Sequence, residues 1–183
     1  MSAALDVKGS PADAGASSGG QGLESVDLPD VFQVDVAVCV RDALGLLGAT
    51  RRLRGMEVAL DLPEDPVIAR VSRRRLEQVL LLLVAHAADV APPTAPSVRV
   101  VVDPPDDFGD TGPRFQVVMP GVSLSERETH SVVLSPLRVG GTQRRLARAR
   151  ELVDAMGGEL AVDRLEEGTA VSVVLPAPGL ASF

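Results

Sequence analysis

The residue pattern predicts a two-layer α/β sandwich of the α+β kind, a mixed β-sheet covered by about three helices. Three observations predict it. Helical and strand-like periods follow one another as helix, two strands, helix, two strands, an unpatterned stretch, helix, two strands. A doubly wound parallel sheet needs regular strand–helix alternation, which is missing. The segment Ser72–Val90 places Leu76, Val79, Leu80, Leu83 and Ala87 at i, i+3, i+4, i+7 and i+11, a single helical stripe. Leu81, Leu82 and Val84 fill its other faces, so this helix is expected to be buried on more than one side. Finally, 45% hydrophobic and 23% charged residues over 183 positions suit one globular domain with a tail.

The core must be aliphatic, because the chain has no Trp, no Tyr and four Phe. A net charge of −7 gives no general basic footprint, so no nucleic-acid partner is expected. Arg51-Arg52, Arg54 and Arg73–Arg75 read as solvated helix ends in preference to a phosphate site. The single cysteine, Cys39, excludes an internal disulfide framework, and its apolar neighbours mark a buried small hydrophobe. No apolar run reaches the roughly 18 residues of a membrane span. The first residues lack a basic start followed by an apolar stretch. A cytoplasmic protein with no membrane partner is expected.

Residues 1–30 are rich in Ala, Gly, Ser and Asp without an apolar period, and are expected to be a disordered tail. The globular domain is expected over 31–177, and residues 178–183 as a second tail. Val31–Asp35 reads as a short strand or lead-in segment, and Asp35 can cap a helix from Val36 to about Arg52, ended by Gly55. Glu57–Leu62 alternates and reads as a strand, Pro63–Pro66 as a turn, and Val67–Val71 as a second strand. Ser72 is the N-cap of the central helix, and Pro92-Pro93 forbids its continuation. Ser97–Asp103 and Arg114–Met119 are strands three and four, hairpinned across an acidic loop. Residues 122–141 have little period and are expected to form a mobile lid. Leu146–Met156 is a helix closed by a left-handed cap at Gly157-Gly158. Glu159–Asp163 and Ala170–Leu175 are the last strands, joined by a turn at Glu166–Gly168.

Arg75-Leu-Glu-Gln-Val-Leu-Leu-Leu-Leu-Val-Ala-His-Ala87 resembles the N-box helix of the ATP-binding domain of sensor histidine kinases, whose wider family includes gyrase and anti-sigma-factor kinases. Three further pieces are similar to that family: Arg54–Asp65 to its R-G strand, Leu152-Val-Asp-Ala-Met-Gly-Gly-Glu-Leu160 to its L-V-x-x-M-G-G-x-L segment, and Glu167–Pro176 to its closing G-T strand. Each is weak alone; their joint order and spacing are specific, and together they span about 31–176. The resemblance implies a Bergerat-type histidine-kinase-like ATPase fold.

The same resemblance shows the chemical motifs altered. The family places two asparagines on the N-box helix, the second a Mg²⁺ ligand; Leu82 and His86 stand there. A D-x-G-x-G turn follows the fourth strand in the family, its Asp reading the adenine amino group. Val117 stands for that Asp and Met119 for the first Gly, while Pro120 and Gly121 survive. A glycine-rich phosphate loop corresponds to Gly141-Thr-Gln-Arg-Arg-Leu146: Gly141 and Thr142 match, Gln143 and Arg145 replace glycines, and Arg144 adds a charge. An apolar side chain cannot satisfy an adenine amino group, and an unpaired polar group costs about 1–3 kcal/mol. Leu82 cannot ligate a hard cation, which takes oxygen. His86 can ligate a softer metal, but no second ligand stands at a convincing spacing, so it reads as a polar pocket-wall residue. His130, in the unpatterned stretch, reads as an exposed lid histidine; beside it Leu134-Ser-Pro-Leu137 resembles the family's F-x-P-F lid motif. No G-x-S-x-G elbow supports Ser-His-Asp catalysis.

These residues imply a domain without catalytic residues, cofactor or metal, acting as an interaction module. The partner would be a bacterial signalling protein, a response-regulator receiver or a kinase, with a homodimer left open. The phosphoacceptor hairpin that precedes this domain in sensor kinases cannot be written from residues 1–30. Two alternatives stand beside that reading: a divergent protein kinase that binds ATP and Mg²⁺, and a sensor of another small anion near His86, Thr142 and Arg144.

Overall fold

Asp35 ends the first strand and starts the first helix: its carboxylate accepts the Ala37 N–H at 2.9 Å as the helix cap. The computed structural model describes residues 31–106, 111–125, 141 and 143–177. Among these residues the chain forms β1 (Phe32–Asp35), α1 (Val36–Ala49), β2 (Glu57–Asp61), β3 (Ile68–Val71), α2 (Arg73–Val90), β4 (Ser97–Asp103), β5 (Arg114–Pro120), α3 (Gln143–Asp154), β6 (Glu159–Leu165) and β7 (Gly168–Val174). The tails expected at 1–30 and 178–183, His130 and the Leu134–Leu137 motif lie outside the described residues.

Five strands make the main sheet in the order β2-β4-β5-β7-β6. Strand β2 runs parallel to β4, and every other neighbouring pair is antiparallel, so the sheet is mixed as expected. The parallel pair arises because β3 and α2 intervene between β2 and β4, which lets the chain return in the same direction. Strands β1 and β3 stand apart as a two-stranded antiparallel ribbon, Phe32 opposite Val71 and Asp35 opposite Ile68.

Alternation sorts the two strands β4 and β5, while β7 is buried from Thr169 to Val173. Val98, Val100 and Val102 of β4, Phe115, Val117 and Met119 of β5, and Val171 and Val173 of β7 are buried in the core with the helices. Helix α2 packs on β4, β5 and both other helices, and α3 also on β6. Its predicted stripe is the middle of that core: Leu76, Val79 and Ala87 are 0% exposed, Leu80 and Leu83 1%. The Ser72 hydroxyl accepts the Arg75 N–H at 3.4 Å, the expected cap. The opposite sheet face is polar: Gln116 donates to Ser172 (3.1 Å) and Ser172 to Asp163 (3.0 Å), while Arg99–Asp61 and Arg114–Asp103 pair across strands.

Two helix ends differ from expectation. Helix α1 stops at Ala49, short of Arg52. The Thr50 hydroxyl donates to the Leu46 and Leu47 carbonyls, at 3.0 and 3.1 Å. Arg51 N–H then bonds Gly48 O (3.0 Å) and Arg52 N–H bonds Leu47 O (2.9 Å), with Arg51 at φ 59°. This is a Schellman closure with an arginine in the left-handed position, at a cost of roughly 1–2 kcal/mol. Helix α3 starts at Gln143, a turn before Leu146, and closes with the same two bonds around Gly157 (φ 76°), where no such cost arises.

Candidate functional site

On α2, Leu82, His86 and Asp89 fall at i, i+4 and i+7, one face of the helix. Leu82 is half-buried and His86 is 0% exposed. Across from α2, β5 brings Val117 (0% exposed) and Met119 (1%) to the helix side of the sheet. Val117 lies in register between Val100 of β4 and Val171 of β7, both as deeply buried, so an apolar row runs across three strands.

Gly121 leaves β5 with φ 72° and donates its N–H to Glu167 O at 2.8 Å. A side chain there would be strained, which is why the chain keeps glycine at this turn. Gly141 likewise has φ 63° and accepts the Arg144 N–H at 3.4 Å. Thr142 lies outside the described residues. Gln143 opens α3 half-buried, Arg144 is exposed, and Arg145 is half-buried. The beginning of the expected mobile lid is instead fastened down: Val122 and Leu124 join the core, and the Thr169 hydroxyl donates to Val122 O (2.8 Å) and accepts the Leu124 N–H (3.4 Å). A row of apolar side chains and a buried threonine hold these residues where low periodicity alone suggested mobility.

One contact was not foreseen. The Arg145 Nη1 pairs with Asp89 Oδ2, and Arg52 Nη1 lies 3.8 Å from Asp89 Oδ1. Asp89 thereby joins the turn after α1, the end of α2 and the first turn of α3. Its spacing from Leu82 and His86 was the available signal, but no spacing links it to Arg145, 56 residues away.

This arrangement does not fit a Mg²⁺-nucleotide in the manner the family resemblance implies. Val117 has no acceptor atom for an adenine amino group. Leu82 supplies no oxygen for a hard cation. Arg145, which stands in the phosphate-loop position, is held by a carboxylate of its own chain. Among the described residues, no group of three or more His, Cys, Asp or Glu is placed to hold a metal ion.

Cys39, buried in α1, is chemically quiet. Burial pushes its thiol up from 9.0 to about 11, Arg73 opposes, and Glu77, Asp42 and Asp35 add to the rise. The folded state therefore holds this proton more tightly than the unfolded chain. Its stabilising contribution is full below pH 9 and is lost as pH rises toward about 11. Urea midpoints should fall over that window in the native protein and less steeply in Cys39→Ala.

The family described as "Histidine kinase-, DNA gyrase B-, and HSP90-like ATPase" matches residues 71–179. The sensor histidine kinase MtrB of Mycobacterium tuberculosis is 39% identical over 73 residues, 40% of this chain and 13% of the relative. The C4-dicarboxylate transport sensor protein DctB of Pseudomonas aeruginosa is 28% identical over 154 residues, 80% of this chain and 24% of the relative. This chain thus spans less than a quarter of the length of either relative. Among solved structures, the catalytic domain of histidine kinase ThkA aligns with a TM-score of 0.68 at 18% identity, covering 80% of this chain and 95% of that one. The mycobacterial sensor histidine kinase MprB gives 0.64 at 24% identity, covering 80% and 97%. Full-length ShkA, solved with AMPPNP, gives 0.65 at 22% identity, covering 83% and 32%. At these identities the structures establish a shared fold. No described helix is long and apolar enough to cross a membrane.

Proposed function

We propose, for a chain that belongs to the histidine kinase-, DNA gyrase B- and HSP90-like ATPase family, that its domain binds no ATP and serves as a protein-interaction module in bacterial signalling. The observation that carries this reading is Val117, 0% exposed in an all-valine row at the place where the family resemblance puts the adenine-reading Asp. An apolar wall leaves the adenine amino group unpaired, at a cost of about 1–3 kcal/mol, and removes the contact that would select a purine. Leu82 and the Arg145–Asp89 pair support it independently, on the metal and phosphate sides. The relatives are sensor kinases, so the partner we favour is a response-regulator receiver or another kinase, met in the cytoplasm. The globular unit is taken as 31–177, flanked by the two tails.

A second reading rests on Gly121 and Gly141. Both keep a left-handed backbone, φ 72° and 63°. Those turns suit a divergent protein kinase that binds ATP and Mg²⁺ through other residues, as the fold relative ShkA was solved with AMPPNP. Titration calorimetry of the whole chain with ATP and Mg²⁺ decides between them. Flat heats are expected; saturable binding at micromolar concentration would remove the first reading and favour the second.

A further inference from the structure

The ion cluster at the end of α2 has no role in the fold's hydrophobic layers and joins three separate elements. Asp89 sits on the Leu82–His86 face of α2, 30% exposed, with Arg145 from α3 (30% exposed) on one carboxylate oxygen and Arg52 (55% exposed) near the other. Two guanidiniums converging on one carboxylate is the arrangement with which proteins grip a bound anion, since planar fork donors match carboxylate and phosphate oxygens equally. Here the anion is part of the chain. The pair stands at the surface, so it is screened by salt and stays open to an anion from solution.

We infer that Asp89 is a built-in competitor anion: it occupies the two arginines that would otherwise receive the phosphates of an external ligand. This rests on the proposed loss of nucleotide binding and adds its phosphate-side cause. Removing the carboxylate's charge while keeping its shape leaves Arg52 and Arg145 converging and uncompensated. An inorganic polyphosphate, which needs neither the adenine wall nor a purine-reading group, then gains a site there.

The test is calorimetry with inorganic tripolyphosphate, without metal, on the native protein, Asp89→Asn, Asp89→Asn/Arg145→Gln and Asp61→Asn. The last removes an equal charge from an exposed cross-strand pair on the far face of the sheet. Asp89→Asn is expected to bind at least about tenfold more tightly than the native chain, and Arg145→Gln in that background to abolish the gain. Asp61→Asn is expected to behave as native. Circular dichroism checks folding, and Asp89→Ser replaces Asp89→Asn if the latter does not fold. A folded Asp89 variant with no gain overturns the inference, as does a native protein that already binds equally well or a gain matched by Asp61→Asn. Those outcomes leave the proposed function standing, because that reading is decided by ATP binding to the native chain.

Discussion

Val117→Asp is expected to destabilise the protein by about 3–5 kcal/mol near neutral pH, the cost of burying a carboxyl that must either ionise without a partner or take up a proton to stay neutral. The residue is 0% exposed between Val100 and Val171, and neither neighbour offers a donor side chain. The substituted carboxyl will hold its proton in the folded state, so its folded pKa stands above the unfolded value of about 3.9. A raised carboxyl is least costly below the unfolded pKa, and its penalty grows as pH rises. Urea midpoints measured against native protein at matched pH should therefore show the deficit narrowing as pH falls toward about 4. The same variant restores the residue type that the family resemblance places on this strand. Calorimetry with Mg²⁺-ATP should nevertheless stay flat, because Leu82 and the Asp89-engaged Arg145 are untouched. Saturable ATP binding by Val117→Asp would show that the whole block resides in one strand residue and would set aside the part assigned to α2 and α3.

Phe115→Ala is expected to cost about 3–5 kcal/mol and to lower the thermal midpoint by roughly 6–20 °C. Among the described residues, Phe115 is the largest side chain with full burial, at 0% exposed, on the strand between β4 and β7 and facing the helical layer. With no Trp or Tyr in the chain, aliphatic neighbours must fill the space it vacates, and close-packed cores relax only partly. Denaturant unfolding followed by circular dichroism measures it; a change below about 1 kcal/mol would mean that α2 collapses onto the sheet and that the core is more plastic than its burial implies.

Much of the architecture was legible in the chain. The stripe on α2 is a helical period of strongly apolar residues, and all five of its predicted members are buried. Strands β4 and β5 alternate cleanly enough that inward and outward faces follow from the spacing, whereas β7 is buried from Thr169 to Val173 on both faces. The boundaries were less legible where one residue acted against its type. Arg51 takes a backbone conformation that favours glycine, so the end of α1 was misplaced, whereas Gly157 signalled the matching closure of α3 correctly. Low periodicity in residues 122–125 concealed that Val122 and Leu124 are core residues tied to Thr169, because that bond spans 47 positions.

The sequence by itself determined which motif positions carry apolar or bulky residues: Leu82, His86, Val117, Met119, Gln143 and Arg145 are matters of identity, readable beside a pattern. It also determined the layer order, since hydrophobic period is a local property. Only the tertiary structure decided that β1 and β3 leave the main sheet and pair with each other, and that Asp89 meets Arg145 and Arg52. Strand partners and ion pairs are contacts between distant segments, and their energies depend on distances that no local pattern encodes.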